Sequence, residues 1–181
     1  PIYTDTTSIL DAQWVPIRPA TDMAAMMAMA YVMLEEDSES SPLIDWDFLD
    51  RCCVGQDADH MPADATTDEN FFDYLRGEYD GVPKTPEWAE EKCHVPAWRI
   101  KALARYWATH NVSIAHCNGG SYVRSAFSHE PARLEVYLLA MQGVGKPGRI
   151  SIKFIEWVLF GMSSCSPLPT SKIIPNTSAC Y

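Results

Sequence analysis

Asp22 stands at the mouth of an apolar run, in the stretch WVPIRPATDMAAMMAMAYVML. Two chemistries are open to a carboxylate in that place. At a helix N-terminus it meets free backbone N–H groups and the positive end of the macrodipole, which is the work of a cap. It also presents two acceptor oxygens and no donor, a pattern that suits the N1–H and 2-amino group of a guanine. The letters alone leave both open. A second stretch, Gly119-Gly120-Ser121-Tyr122-Val123-Arg124, joins glycines that let a flat ligand approach the backbone to a guanidinium able to donate to several acceptors in one plane. A surface turn carrying a solvated arginine reads equally well there.

Other stretches fit a motif and fail its context. GVGKPG, residues 143–148, matches G-x-G-x-x-G by letter, but the dinucleotide fingerprint follows a strand and opens a helix. Here a helix precedes it and Pro147 sits inside it, so it reads as a helix stop. Lys146 is followed by proline, where a phosphate-binding P-loop needs Ser or Thr. Ser128-His129-Glu130 are neighbours in sequence and cannot form a relay; His129 and Glu130 read as the start of the next helix. His116 and Cys117 are adjacent in a strand and face opposite ways, which argues against a ligand pair. The six cysteines, at 52, 53, 93, 117, 165 and 180, show no spacing suited to zinc or an iron–sulfur cluster and read as reduced, partly buried thiols.

The elements around these residues follow from caps and periodicity. A helix over 22–36 is rich in Ala, Met and Leu, has Thr21 or Asp22 at its start, and is apolar nearly all round, so it belongs in the interior. A short amphipathic helix near 45–52 precedes an acidic, turn-rich surface loop, QDADHMPADATTDEN. FFDYLR stops at Gly77, and Thr85-Pro86-Glu87 opens a helix over 86–93 with a hydroxyl cap, a first-turn proline and an early carboxylate. After Pro96, Ile100, Leu103, Ala104 and Trp107 form a core-facing stripe that Arg99, Lys101 and Arg105 avoid. VSIAH is a short buried strand ending in a glycine turn, and 131–141 is helical again up to Gly143.

Strand, glycine turn and helix in succession predict an α/β fold: a layered parallel sheet, Rossmann-like and doubly wound, flanked by helices and incomplete as a domain. Ligands in such sheets lie beyond the carboxyl ends of strands, which directs attention to the turns at PIYTDT and NGGSYVR. PIYTDT reads as a strand end and its turn, as in a fragment of a longer chain. Residues 1–148 form the folded unit on this view, and 149–181, with many Ser, Thr and Pro after Met162, an irregular C-terminal segment.

The 181 residues, 47% hydrophobic and 21% charged, suit one globular core. The 24 acidic against 14 basic residues leave a formal charge of -10 without a basic patch, which argues against nucleic acid as a partner. The longest apolar run, Met23–Leu34, falls short of the about 20 residues a bilayer span needs, which argues against direct membrane insertion.

PIYTDT, WVPIRPATD, FLDRCCVG, GVPKTPEWAEEKCHVP and ALARYWA occur in that order, and together they resemble the catalytic subunit of the dimethyl sulfoxide reductase family of molybdopterin oxidoreductases. The similarity runs over residues 1–148. It implies the middle α/β domain of a subunit that holds molybdenum between two molybdopterin guanine dinucleotides (bis-molybdopterin guanine dinucleotide) and transfers an oxygen atom or hydroxyl to or from a small-molecule substrate. Pro1, Ile2, Tyr3 and Thr4 match the family's first nucleotide-binding stretch. Ala20, Thr21 and Asp22 match the second, where an aspartate holds the guanine, and Gly120 and Arg124 match positions lining the pterin.

The resemblance also implies that the molybdenum ligand and an iron–sulfur cluster lie upstream of this chain, which then has no catalytic or metal-ligating residue of its own. The rest of the catalytic subunit and an iron–sulfur electron-transfer subunit are the implied partners. Ala20 departs from the family's usual glycine before Thr-Asp, and MQGVGKPG is closer to the branch containing pyrogallol–phloroglucinol transhydroxylase. The alternative is a redox-inactive nucleotide-binding or structural module of the same fold.

Overall fold

A computed structural model describes residues 5–117, 126–127 and 129–154. After a short helix α1 (Asp5–Ile9), the chain runs extended to α2 (Asp22–Glu36). The bounds of α2 are those its composition predicts, and its packing explains why it is apolar on every side. Ala24 and Ala28 are buried with Ala89, Cys93, Val95 and Ile100, whereas Met27, Ala30, Met33 and Leu34 enter a second cluster with Leu49, Phe72, Leu75, Leu134 and Leu138. Small residues face one side and larger ones the other. Met33 is wholly buried, and such a side chain contributes about 1.5–3 kcal/mol of apolar transfer.

The helices around α2 start and stop on local signals. In α3 (Trp46–Cys52) the Asp45 carboxylate accepts from Phe48 N–H at 3.2 Å. Asn70 caps α4 (Phe71–Arg76) through Asp73 N–H at 3.0 Å, and Gly77 ends it at φ 83, where an added Cβ would run into Pro83. The Thr85 hydroxyl caps α5 (Pro86–Cys93) through Trp88 N–H at 3.2 Å. Helix α6 (Ala97–Thr109) follows Pro96 and buries Ile100 and Ala104. The loop 56–70 is largely exposed and holds one 3-10 turn, Ala58–His60, which Asp57 caps. Helix α7 (His129–Ala140) begins at His129 and Glu130, and GVGKPG follows it as turns with Gly143, Gly145 and Gly148 all at positive φ. Helices α4, α5, α6 and α7 all pack on α2.

Among the described residues there are two strands. β1 (Ile114–Cys117) and β2 (Ser151–Phe154) pair in parallel, with Ile114 opposite Ser151 and Cys117 opposite Phe154. This corrects the expectation that 149–181 is irregular throughout. Its first residues, RISIKF, alternate in the period of a strand and find a partner far back in the chain. Residues 155–181 lie outside the described residues.

Candidate functional site

Of the predicted site residues, the structure describes Ala20, Thr21 and Asp22 and brings them together at the mouth of α2. Pro1, Ile2, Tyr3, Thr4, Gly120 and Arg124 lie outside the described residues. Two clamps place the mouth. Arg18 N–H donates to the Cys93 carbonyl at the end of α5 at 2.9 Å, and the Arg99 guanidinium of α6 donates to the Trp14 carbonyl at 3.0 Å. Between the clamps, Val15 and Ile17 pack against the Ala24–Ala28–Cys93 cluster. The extended segment 14–18 is thereby held by the same helices that hold α2.

From Arg18 the chain must turn sharply into the helix. Ala20 does this at φ 63, in the left-handed region that costs a residue with a Cβ roughly 1–2 kcal/mol. The turn also answers why a glycine suits this position. Thr21 is the N-cap by place but not by bonding: its hydroxyl donates back to the Arg18 carbonyl at 2.6 Å, and its side chain caps nothing. Asp22 is the first helical residue, so the capping role, one of the two readings its sequence left open, is not what it forms. Its partly exposed carboxylate makes no hydrogen bond or ion pair with another described residue, and the positive end of the helix dipole is a favourable neighbour to it.

Arg99, which the periodicity sets only on a solvent face, serves the site by fixing Trp14. Lys101 and Arg105 on the same helix pair with Glu87 and Glu36, both at 2.7 Å. Those bonds hold both carboxyls below the usual carboxylate range, chiefly by the side-chain hydrogen bond in each case. Lys146, the lysine of the glycine-rich stretch, is also engaged. It donates to Asp45, the cap of α3, while Arg149 donates to the Gln142 carbonyl. Burial opposes the charge on Asp45, but the hydrogen bonds from Lys146 and Phe48 N–H outweigh it and keep the carboxyl low.

Among the described residues no group of three or more His, Cys, Asp or Glu could hold a metal ion, and no helix is long and apolar enough to cross a membrane. Cys52, Cys53 and Cys93 are free thiols.

No family model matches the chain. It is 46% identical over 106 residues to the dimethyl sulfoxide reductase DmsA of Escherichia coli (strain K12), a match covering 58% of this chain and 12% of that protein. It is 36% identical over 151 residues to the pyrogallol hydroxytransferase large subunit of Pelobacter acidigallici, covering 82% of this chain and 15% of that subunit. To the dimethyl sulfoxide/trimethylamine N-oxide reductase of Cereibacter sphaeroides it is 37% identical over 149 residues, covering 82% and 16%. The chain thus spans well under a fifth of the length of each relative. Identity at this level, sustained over most of the chain and against several enzymes of one kind, establishes that this sequence belongs to the dimethyl sulfoxide reductase family and matches a segment of its catalytic subunits.

Proposed function

We propose that this chain is a segment of the layered, doubly wound α/β domain of a molybdenum oxidoreductase catalytic subunit, and that it grips one guanine end of a bis-molybdopterin guanine dinucleotide. The observation that supports this most is the state of Asp22. Its carboxylate has no partner among the described residues, yet the backbone around it is fixed by a left-handed Ala20 and by the Arg18–Cys93 bond. An acceptor-only group held in one place fits a guanine edge, which offers two donors side by side. On this reading Pro1–Thr4 and Ala20–Thr21 supply backbone to the nucleotide, and Gly120 and Arg124 meet the pterin.

When bound, the cofactor supplies two-electron redox chemistry and oxygen-atom or hydroxyl exchange at molybdenum. The residues of this chain bind and orient; the metal ligand and an iron–sulfur cluster belong to the upstream part of the subunit, and electrons pass through an iron–sulfur partner subunit. The substrate is a small molecule of the kinds the relatives' names give: a sulfoxide, an amine N-oxide or a phenol.

The test is Asp22→Asn in the complete subunit. Asparagine keeps one oxygen and sets an NH₂ group against a guanine donor, and an unmet buried polar group costs about 1–3 kcal/mol, or roughly 5- to 150-fold in binding. Molybdenum and released guanine nucleotide per protein should fall. Thermal stability of the cofactor-free protein should move by no more than the charge–dipole share, about 0.3–1 kcal/mol. Wild-type cofactor content in this variant would remove Asp22 from the guanine site.

A further inference from the structure

The chain is strongly acidic, and its cations are taken up accordingly. Among the described residues, every lysine and arginine with a described side chain other than Arg18 is engaged by a carboxylate, a backbone carbonyl or an aromatic ring. Arg18 is exposed, and its guanidinium makes no hydrogen bond, ion pair or ring contact.

The backbone that carries this unused charge is restrained on every side. Arg18 N–H donates to the Cys93 carbonyl at 2.9 Å, and the Arg18 carbonyl accepts from the Thr21 hydroxyl at 2.6 Å. Pro19 follows, which confines Arg18 to extended backbone. A side chain that rises from fixed backbone loses only its own rotamer freedom on meeting a ligand.

Asp22 lies four residues on, with the opposite charge and no partner either. Within a helix two such residues would meet, but Ala20 at φ 63 takes the chain out of that register, and they do not pair. A nucleotide presents the donor edge of its base and its phosphates at separate points, so a carboxylate and a guanidinium that stay apart suit its two ends. The guanidinium is a planar fork of donors with no acceptor, which matches phosphate oxygens two at a time.

We infer that Arg18 binds the phosphate end of the nucleotide whose guanine Asp22 holds. The inference rests on the guanine reading of Asp22 and adds a second, chemically distinct contact to it.

The experiment uses the complete subunit freed of cofactor, with guanosine, guanosine diphosphate and adenosine diphosphate as probes in titration calorimetry. The parent should bind guanosine diphosphate at least tenfold tighter than guanosine, and Arg18→Gln should remove that advantage while leaving guanosine affinity and the melting temperature unchanged. Arg18→Lys, which keeps the charge and loses the fork, should fall between the two. Equal affinity of the parent and Arg18→Gln for guanosine diphosphate overturns the inference, and so does an equal loss for guanosine. Adenosine diphosphate carries the same phosphates on another base and should bind the parent at least tenfold more weakly; equal binding would make Arg18 a site for any phosphate and overturn the shared nucleotide. Asp22→Asn in the same panel should weaken guanosine and guanosine diphosphate alike. Its failure to do so would sink the guanine reading, whereas failure of the Arg18 inference is read from the ratio of the two guanine probes.

Discussion

Lys84 offers a sharp test of how the scaffold is held. Its side chain is 2% exposed, and its ammonium donates to Asp80 at 2.6 Å and to the Val82 carbonyl. The same nitrogen lies 4.3 Å from the centroid of Tyr74 and 5.7 Å from that of Trp88. Hydrogen bonds to a charged group contribute about 1.5–3 kcal/mol each, but desolvating the ammonium costs several kcal/mol in return. Lys84→Met removes both and leaves an unbranched stem against the rings, so the net loss should be about 1–2 kcal/mol. Lys84→Ala also empties the space, which brings the loss to about 3–5 kcal/mol. At about 2–4 °C per kcal/mol for a protein of this size, the two variants should melt roughly 4 °C and 12 °C below the parent. Asp80→Asn should melt below Lys84→Met, because it keeps the ammonium buried and takes away its carboxylate. Thermal melts by circular dichroism decide the order. If methionine is as damaging as alanine, or Asp80→Asn milder than Lys84→Met, then the charge of Lys84 is not what the pocket is built around.

The remaining predictions concern three turns. Ala20→Gly relieves a left-handed alanine worth roughly 1–2 kcal/mol but frees the unfolded chain by about 0.4–1 kcal/mol, so urea unfolding should show a variant equal to or up to about 1.5 kcal/mol more stable than the parent. The control Ala30→Gly, wholly buried inside α2, should lose about 1 kcal/mol or more. Gly143→Ala should lose at least about 1–2 kcal/mol from its φ of 75 alone, and more because the added Cβ meets the Asp45 carboxylate. His60 donates to Asp57 at 2.7 Å, and this hydrogen bond raises its pKa above the ordinary 6.5. A raised folded-state pKa stabilises fully below 6.5 and loses that contribution as pH rises through the folded value. The melting-temperature gap between the parent and His60→Gln should therefore narrow from pH about 5.5 to pH about 8.5, and a gap that widened would refute the pairing.

What was legible in the sequence was what neighbours in the chain decide. Thr85-Pro86 opens α5, Gly77 closes α4 at positive φ, and the composition of 22–36 marks a buried helix with the bounds observed. These signals need only a few adjacent residues and their backbone preferences. The strand 151–154 was missed because its partner among the described residues, 114–117, lies far back in the chain and because the Ser, Thr and Pro content further on dominates the composition of the segment. Lys84 gave no sign of burial, since its cage closes only when α4 brings Tyr74 and α5 brings Trp88 to one place. Asp22 was singled out by type and position, but that no side chain caps α2 was not legible, because the Thr21 hydroxyl turns back to Arg18 instead of forward into the helix.

The same division between local and distant causes bears on the role proposed for Asp22, a partly exposed carboxylate, as a fixed acceptor. Asp22 itself is held by nothing described beyond its place in the helix, so its precision must come from the backbone. That backbone is set by α2, whose small-residue face locks against Ala89, Cys93 and Ile100 while its larger face locks against Leu75 and Leu138. It is set again by Cys93, which is wholly buried and whose carbonyl takes the Arg18 N–H. The order of α5 begins at the Thr85 cap, one residue after the caged Lys84. A disturbance at Lys84 can thus reach Asp22 through a continuous run of packed and hydrogen-bonded groups. The GVPKTPEW stretch and the PATD stretch, separate in sequence, are on this account two ends of one device: the first anchors the helix whose last carbonyl aims the second.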